Sequence, residues 1–117
     1  MYYLTDISSR PEGYGFSESA GVTGRSGIRA IDYKTGTMKW FHAGGGAQGL
    51  LSTAGHLLFG NDGGGNFISF DQDTGKILWH TALLQNPSDG PETFMLDGRQ
   101  FILVAAGDLL YAFTLSR

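Results

Sequence analysis

Apolar and polar side chains alternate along the most regular stretch of the chain, which is the pattern of a β-strand. In Phe67–His80, FISFDQDTGKILWH, the apolar Ile68 and Phe70 alternate with the polar Ser69 and Asp71. An Asp-x-x-Thr-Gly segment follows, in which Asp and Thr can bond nearby backbone N–H groups and Gly takes a positive φ. The chain then returns in a second strand-like run that carries a tryptophan four residues past the turn. The pattern therefore predicts a β-hairpin whose second strand carries an indole side chain four residues past the turn.

The same unit occurs earlier in the chain, as Ile28–Phe41, IRAIDYKTGTMKWF. Four positions match at a constant offset of 39 residues: Asp32 with Asp71, Thr35 with Thr74, Gly36 with Gly75 and Trp40 with Trp79. A period of about 40–45 residues is typical of four-stranded propeller blades. Because a large flat ring suits the contact between neighbouring sheets, we expect both tryptophans to be largely buried in equivalent positions there.

The rest of the chain also divides into short strands separated by glycine and proline turns. No run of eleven or more residues has a convincing helical period, so we predict an all-β fold of eight to ten short antiparallel strands, with no helix longer than two turns. With the strands of a blade labelled A to D, the residues near 1–42 hold B to D, those near 50–81 hold A to D and those near 92–115 hold A to C. The B strand of the first repeat is Met1–Asp6. The chain, residues 1–117, is thus predicted to be one domain: a partial β-propeller of two to three four-stranded sheets.

Composition and charge limit the classes of binding partner that are expected. The net charge is −3 and the chain has no basic cluster, which argues against nucleic acid and anionic membrane surfaces. No apolar run is long enough to span a bilayer, and no signal peptide is visible at the start. The absence of cysteine excludes disulfides and thiolate metal sites.

Longer strings around the two hairpins resemble one family. The repeated Asp-x-x-Thr-Gly-x-x-x-Trp pattern is similar to the tryptophan-docking motif of quinoprotein propellers. LLSTAGHLLFGNDGGGNFISFDQDTGKILWH and GPETFMLDGRQFILVAAGDLLYAF are similar to the last blades of pyrroloquinoline quinone (PQQ)-dependent alcohol dehydrogenases. The resemblance covers roughly Gly27 to Leu115, and its STAG and VAAGD strings favour the dehydrogenase branch over non-enzymatic members.

This resemblance implies a parent enzyme with eight blades, PQQ and calcium on the propeller axis, and a periplasmic location. The family's metal-binding and catalytic Glu, Asn and Asp lie in earlier blades, so no catalytic residue is assigned to this chain. The parent's remaining blades are the expected partners. The alternative is a PQQ-type propeller that has lost its cofactor and serves as a scaffold or protein-binding module in the bacterial envelope.

Three residues are candidates for contact with cofactor or substrate. Asn61 and Asp62 end a strand and open a glycine turn, and Asp108 follows the VAAG string. By the resemblance, all three lie near the central funnel of the ring. Asn-Asp-Gly is also ordinary turn chemistry, and that structural interpretation stays open.

Three other kinds of site are rejected because the surrounding sequence lacks the residues or elements that each requires. Asp71-x-Asp73 lacks the Gly and Glu that an EF-hand loop requires at its sixth and twelfth positions. Gly44-x-Gly46-x-x-Gly49 has no helix after it, so it is not a dinucleotide-binding loop. The three histidines have no ligand spacing. We further expect that the isolated chain is inactive, and that its uncovered sheet faces and edges cause homo-oligomers to form.

Overall fold

The structure, a computed structural model, describes residues 27–45, 48–62 and 64–116. Within these ranges the chain contains strands and turns and no helix. The nine strands are β1 (Gly27–Ile31), β2 (Met38–Ala43), β3 (Leu51–Ser52), β4 (Leu57–Asn61), β5 (Asn66–Asp71), β6 (Ile77–Ala82), β7 (Glu92–Leu96), β8 (Arg99–Ala106) and β9 (Leu109–Thr114). The predicted all-β class is confirmed.

All the strand pairs are antiparallel and join strands that are consecutive in the chain. The first sheet is β1-β2, the second sheet is β3-β4-β5-β6 and the third sheet is β7-β8-β9. The second and third sheets have the A to D and A to C strands that the sequence predicts. The predicted B strand of the first sheet, Met1–Asp6, lies outside the described residues.

The two Asp-x-x-Thr-Gly segments form the turns of the β1–β2 and β5–β6 hairpins. Oδ1 of Asp32 accepts hydrogen bonds from the backbone N–H groups of Lys34 and Thr35, at 2.8 and 3.2 Å. Oδ1 of Asp71 accepts the equivalent pair from residues 73 and 74, both at 2.9 Å. Each segment then ends in a glycine with φ near +70°, a conformation that costs side-chain-bearing residues free energy. The local sequence therefore explains both turns.

The first and second sheets pack face to face through one apolar cluster. Its buried members are Ile28 of β1 with Ile68 and Phe70 of β5. Trp40 of β2 covers this cluster, and its ring stacks on Phe70 with the centroids 6.1 Å apart. Trp40 Nε1–H also donates a hydrogen bond of 2.9 Å to the carbonyl oxygen of Gln72, so the indole is fixed at both its apolar and its polar end.

A second cluster joins the second sheet to the third. Phe67 of β5 packs with Ile102 and Val104 of β8, and all three side chains are buried. Phe113 of β9 stacks on Phe67 with the centroids 5.6 Å apart. Because neighbouring β5 residues point to opposite faces, Phe67 faces the third sheet while Ile68 and Phe70 face the first. Strand β5 is therefore the central strand of the described structure.

The expectation that both tryptophans are largely buried is wrong for Trp79, whose residue surface is 42% exposed. Its ring meets Phe67 and Phe113 edge-on, at centroid distances of 6.2 and 5.5 Å. Trp40, by contrast, is partly buried because the Gly75 turn covers a further part of its ring. No glycine turn within the described part of the chain reaches Trp79 in the same way. The two indoles thus occupy equivalent strand positions, but neighbouring residues shield Trp40 from solvent more than they shield Trp79.

The described residues include no helix long and apolar enough to cross a membrane.

Candidate functional site

The strands of the second and third sheets bring four connections to one end of the sheets, which we call the glycine-rich end. Two of these are the β4–β5 turn (residues 62, 64 and 65) and the β8–β9 turn (107–108). The other two are the links between sheets, of which residues 44–45, 48–50 and 83–91 are described. These segments hold most of the glycines of the described chain, together with the candidates Asp62 and Asp108, and the candidate Asn61 directly precedes the β4–β5 turn.

Glycine allows these connections to touch one another through their backbones. A Cβ on Gly45 would overlap the carbonyl group of Asn61, and one on Gly44 would lie 3.0 Å from the carbonyl oxygen of Asp62. A Cβ on Gly49 would lie 3.0 Å from Cα of Gly90, in the link to the third sheet. The first three of these glycines have positive φ. The glycine-rich end is therefore a set of backbone segments in close contact, which larger residues would force apart.

Asn61 is the last residue of β4 and one of the two buried polar residues of the described chain, with 3% of its surface exposed. It pairs with Phe67 in the β4–β5 register. The link to the first sheet covers it, because Gly45 lies directly against its carbonyl group. Asn61 is thus held in place from two sides, by the sheet and by the link.

The carboxylate of Asp62 is used within its own turn. Oδ1 accepts hydrogen bonds from the backbone N–H groups of Gly64 and Asn66, at 2.7 and 3.1 Å. Oδ2 accepts one of 2.6 Å from the side-chain amide of Asn66. Partial burial acts to raise the pKa of Asp62, but the bonds from Asn66 and Gly64 to the ionised form outweigh it and lower that pKa below its usual value. The geometry fits a turn-stabilising role for Asp62.

Asp108 lies in the exposed β8–β9 turn, beside the link between the second and third sheets. Oγ of Ser88 accepts a hydrogen bond of 3.1 Å from the N–H of Gly107. The side chain of Gln85 occupies the space where Gly107 would carry a Cβ, and Pro87 pairs with Ala106 as an isolated bridge. No local pattern could have found these contacts, because they join segments about 20 residues apart.

The opposite end of the sheets carries the Asp-x-x-Thr-Gly turns. The N–H group of Lys34, followed by that of Thr35, lowers the pKa of Asp32, and the N–H and hydroxyl groups of Thr74 do so for Asp71. Both carboxylates are exposed to solvent and serve as turn caps. Nδ1 of His56 lies 3.2 Å from Oδ2 of Asp73, with both side chains more than 60% exposed. A pair so exposed contributes little to stability.

Comparison with known proteins identifies the family. The model of the PQQ glucose/ethanol/alcohol dehydrogenase β-propeller domain matches residues 41–102, more than half of the chain. The chain belongs to this family. Its match includes the second sheet, β7 and the start of β8, and hence the contact between two blades.

Individual relatives agree with this assignment. The chain is 38% identical over 82 residues to the quinoprotein alcohol dehydrogenase PedE of Pseudomonas putida, which is 68% of this chain and 13% of that protein. It is 40% identical over 60 residues to lupanine 17-hydroxylase [cytochrome c] of a Pseudomonas species, or 51% of this chain and 9% of that protein. The solved quinohemoprotein alcohol dehydrogenase ADHIIG of Pseudomonas putida HK5 matches 72% of this chain and 13% of its own, with a TM-score of 0.63 and 30% identity. The chain therefore spans about a tenth of the length of these relatives.

The described residues do not by themselves fit the calcium and PQQ that the family resemblance implies. Calcium takes six to eight oxygen ligands, whereas no group of three or more acidic or histidine side chains in the described ranges could hold a metal ion. Both oxygens of Asp62 already accept hydrogen bonds within its turn. Asn61 has an amide side chain and is buried beneath a glycine link. Of the three candidates, Asp108 is the one with an exposed carboxylate. We derive no chemical step through either group from this chain.

Proposed function

We propose that this chain forms the C-terminal blades of a periplasmic PQQ-dependent dehydrogenase that oxidises alcohols or sugars. The observation that supports this most directly is the contact between Trp40 and the Gly75 turn, which docks one blade on the next within a chain of this family. The oxidation itself belongs to the quinone. The blades of this chain contribute shape: they close part of the ring and place the glycine-rich end beside its funnel.

The three candidate residues have different parts in this proposal. Asp62 fixes the β4–β5 turn through its three hydrogen bonds. Asn61 positions the link between the first and second sheets, because Gly45 of that link packs directly against the Asn61 carbonyl group. Asp108, which is exposed and receives no hydrogen bond on its carboxylate within the described ranges, is the residue that faces ligand or solvent at the rim.

The sharpest test is a chimera with a characterised relative. The blades of PedE that correspond to residues 27–115 of this chain, a range that includes Trp40, are replaced by those residues, and quinone-dependent alcohol oxidation is measured. We expect a folded chimera that keeps its activity. A matched chimera with Trp40→Ala tests whether the blade contact is what the activity needs, and should lose stability. A folded first chimera that binds quinone but has no activity would favour the scaffold function and contradict the proposal.

The isolated chain provides a second test. We propose that it neither oxidises alcohols nor binds PQQ tightly, because the described residues supply no metal-ligand set of their own. Isothermal titration with PQQ and calcium should give no submicromolar binding, and a dye-linked alcohol assay should stay at the no-protein blank. Binding or turnover in these assays would place the catalytic machinery in these blades.

In the isolated chain the outer face of the third sheet is a site of association. Phe94, Leu96 and Leu110 are 40%, 54% and 66% exposed, and such apolar surface rarely stays uncovered. We propose that the parent's other blades cover it and that isolated chains cover it for one another as homo-oligomers. Light scattering at high micromolar concentration should show a mass above that of a monomer. Leu110→Lys should shift it toward the monomer, whereas Tyr33→Lys, at the exposed β1–β2 turn, should not.

A further inference from the structure

The two contacts between the described sheets have the same direction. In the first contact, Ile28 and Trp40 of the first sheet share an apolar cluster with Phe70 of the second sheet. In the second contact, Phe67 of the second sheet shares a cluster with Val104 of the third sheet. By the offset of 39 residues Ile28 corresponds to Phe67, so the earlier sheet uses the same face in both contacts. Each sheet of the repeat therefore has one face for the sheet before it and another for the sheet after it.

The outer face of the first sheet is of the kind that meets a preceding sheet. Side chains alternate along a strand, so Ile31 of β1 and its partner Met38 of β2 lie on the face opposite Ile28. These two side chains belong to residues that are 50% and 58% exposed. By the offset of 39 residues Ile31 corresponds to Phe70, which is completely buried at the contact with the first sheet. The first sheet thus has an exposed apolar side chain at the position where the second sheet has a buried one.

The outer face of the third sheet is of the kind that meets a following sheet. Val104 of β8 points toward the second sheet, so Phe101 and Ala105 of the same strand point away from it. Phe94 of β7 lies opposite Phe101 and is 40% exposed, and Leu110 of β9 lies opposite Ala105 and is 66% exposed. The rings of Phe94 and Phe101 are stacked with the centroids 5.3 Å apart. This face is therefore a continuous apolar surface across all three strands.

We propose that the isolated chain binds a second copy of itself head to tail, with the outer face of the third sheet of one copy on the outer face of the first sheet of the next. This contact rests on the association proposed above for the isolated chain and assigns the surface that the third sheet meets. The repeat identifies the occupant: within the described residues, these two faces are the two halves of a contact that the chain already makes twice internally.

The direction of the contact determines the kind of assembly. A symmetric dimer would place two identical faces together, whereas both contacts in the described chain join unlike faces. A contact between unlike faces is heterologous, and it leaves one free face at each end of a pair. It therefore continues beyond a dimer, as a ring if the rotation between copies closes and as an open chain otherwise.

Two lysine variants, one on each outer face, separate this arrangement from a symmetric dimer. Met38→Lys blocks the face of the first sheet and Leu110→Lys blocks that of the third, and both variants should fold because both residues are exposed. We expect light scattering to give each variant alone a mass near that of the 12.6-kDa monomer. An equimolar mixture should have twice that mass, because each variant keeps the face that the other has lost. The control Tyr33→Lys, at a turn residue that is 89% exposed, should keep the mass of the wild-type oligomer.

Three results would overturn the head-to-tail contact. A Met38→Lys variant that keeps the wild-type mass would assign association to two copies of the third-sheet face. A mixture that stays at the mass of the monomer would show that the two intact faces do not bind each other. A wild-type chain that is a monomer at high micromolar concentration would contradict association altogether. These results are independent of the dehydrogenase assignment, which the chimera tests.

Cross-linking gives a second measurement that leaves both apolar faces largely intact. The chain has no cysteine of its own, so Met38→Cys and Leu110→Cys each introduce a single thiol. With a short bis-maleimide, the product should join one chain of each variant when the two are mixed. Leu110→Cys alone should give no cross-linked dimer. Cross-linked dimers of Leu110→Cys alone, with none between the two variants, would establish the symmetric contact instead.

Discussion

The indole of Trp40 lies so close to Gly75 that an ideal Cβ built on Gly75 would come within 2.6 Å of its Cδ2 atom. This contact crosses from the first sheet to the turn of the second. It sets two requirements on residue 75: no side chain, and a backbone φ of +73°. Gly36, at the same place in the first hairpin, has φ +71° but no neighbouring atom within 4 Å of such a Cβ. The repeated glycine thus has one structural role at position 36 and two at position 75.

This difference predicts unequal costs for the same substitution. Gly36→Ala should lower the free energy of unfolding by about 1–2 kcal/mol, the cost of a left-handed backbone at a residue with a Cβ. Gly75→Ala should cost about 1–3 kcal/mol more, because the added methyl group also displaces the ring of Trp40. Urea unfolding of both variants measures the difference. Equal costs would mean that the blade contact does not depend on the close approach.

The two tryptophans should differ in the same assay. Trp40→Ala should cost about 3 kcal/mol, the lower end of the range for large core aromatics, because the ring is only partly buried. Trp79→Ala should cost about 1 kcal/mol, since this residue is 42% exposed. Trp40→Phe keeps a ring but removes the bond to the Gln72 carbonyl, and should cost about 1 kcal/mol through that loss alone. A larger cost for Trp79→Ala than for Trp40→Ala would contradict the contacts described above.

Acid should destabilise the β4–β5 turn through Asp62. Its pKa in the folded protein is lowered, so the stabilisation is present above the usual aspartate pKa of about 3.9 and is lost as the pH falls through the lower folded value. Asp62→Asn should therefore reduce stability at pH 7 and flatten the fall in stability between about pH 5 and pH 2. Thermal unfolding across this range measures both effects. An Asp62→Asn variant whose stability falls with acid as steeply as that of the wild type would show that the slope does not come from this turn.

Local sequence determined the all-β class, the two Asp-x-x-Thr-Gly turns and the strands of the second and third sheets. It did so because each of these features depends on residues a few positions apart: the alternation along a strand, an Asp side chain that bonds N–H groups two and three residues on, and a glycine with positive φ. The repeat of 39 residues then indicated equivalent sheets, and the longer strings indicated the family.

Only the tertiary structure decided what each repeated residue contacts. Trp40 and Trp79 are equivalent in sequence, yet their cover differs because it comes from the neighbouring sheet and not from their own hairpin. The same holds at the glycine-rich end, where Gly45 rests on Asn61 and Ser88 binds the Gly107 turn. These contacts join segments that are distant in the chain, and their free energy depends on how the sheets pack. Local pattern carries no information about that packing.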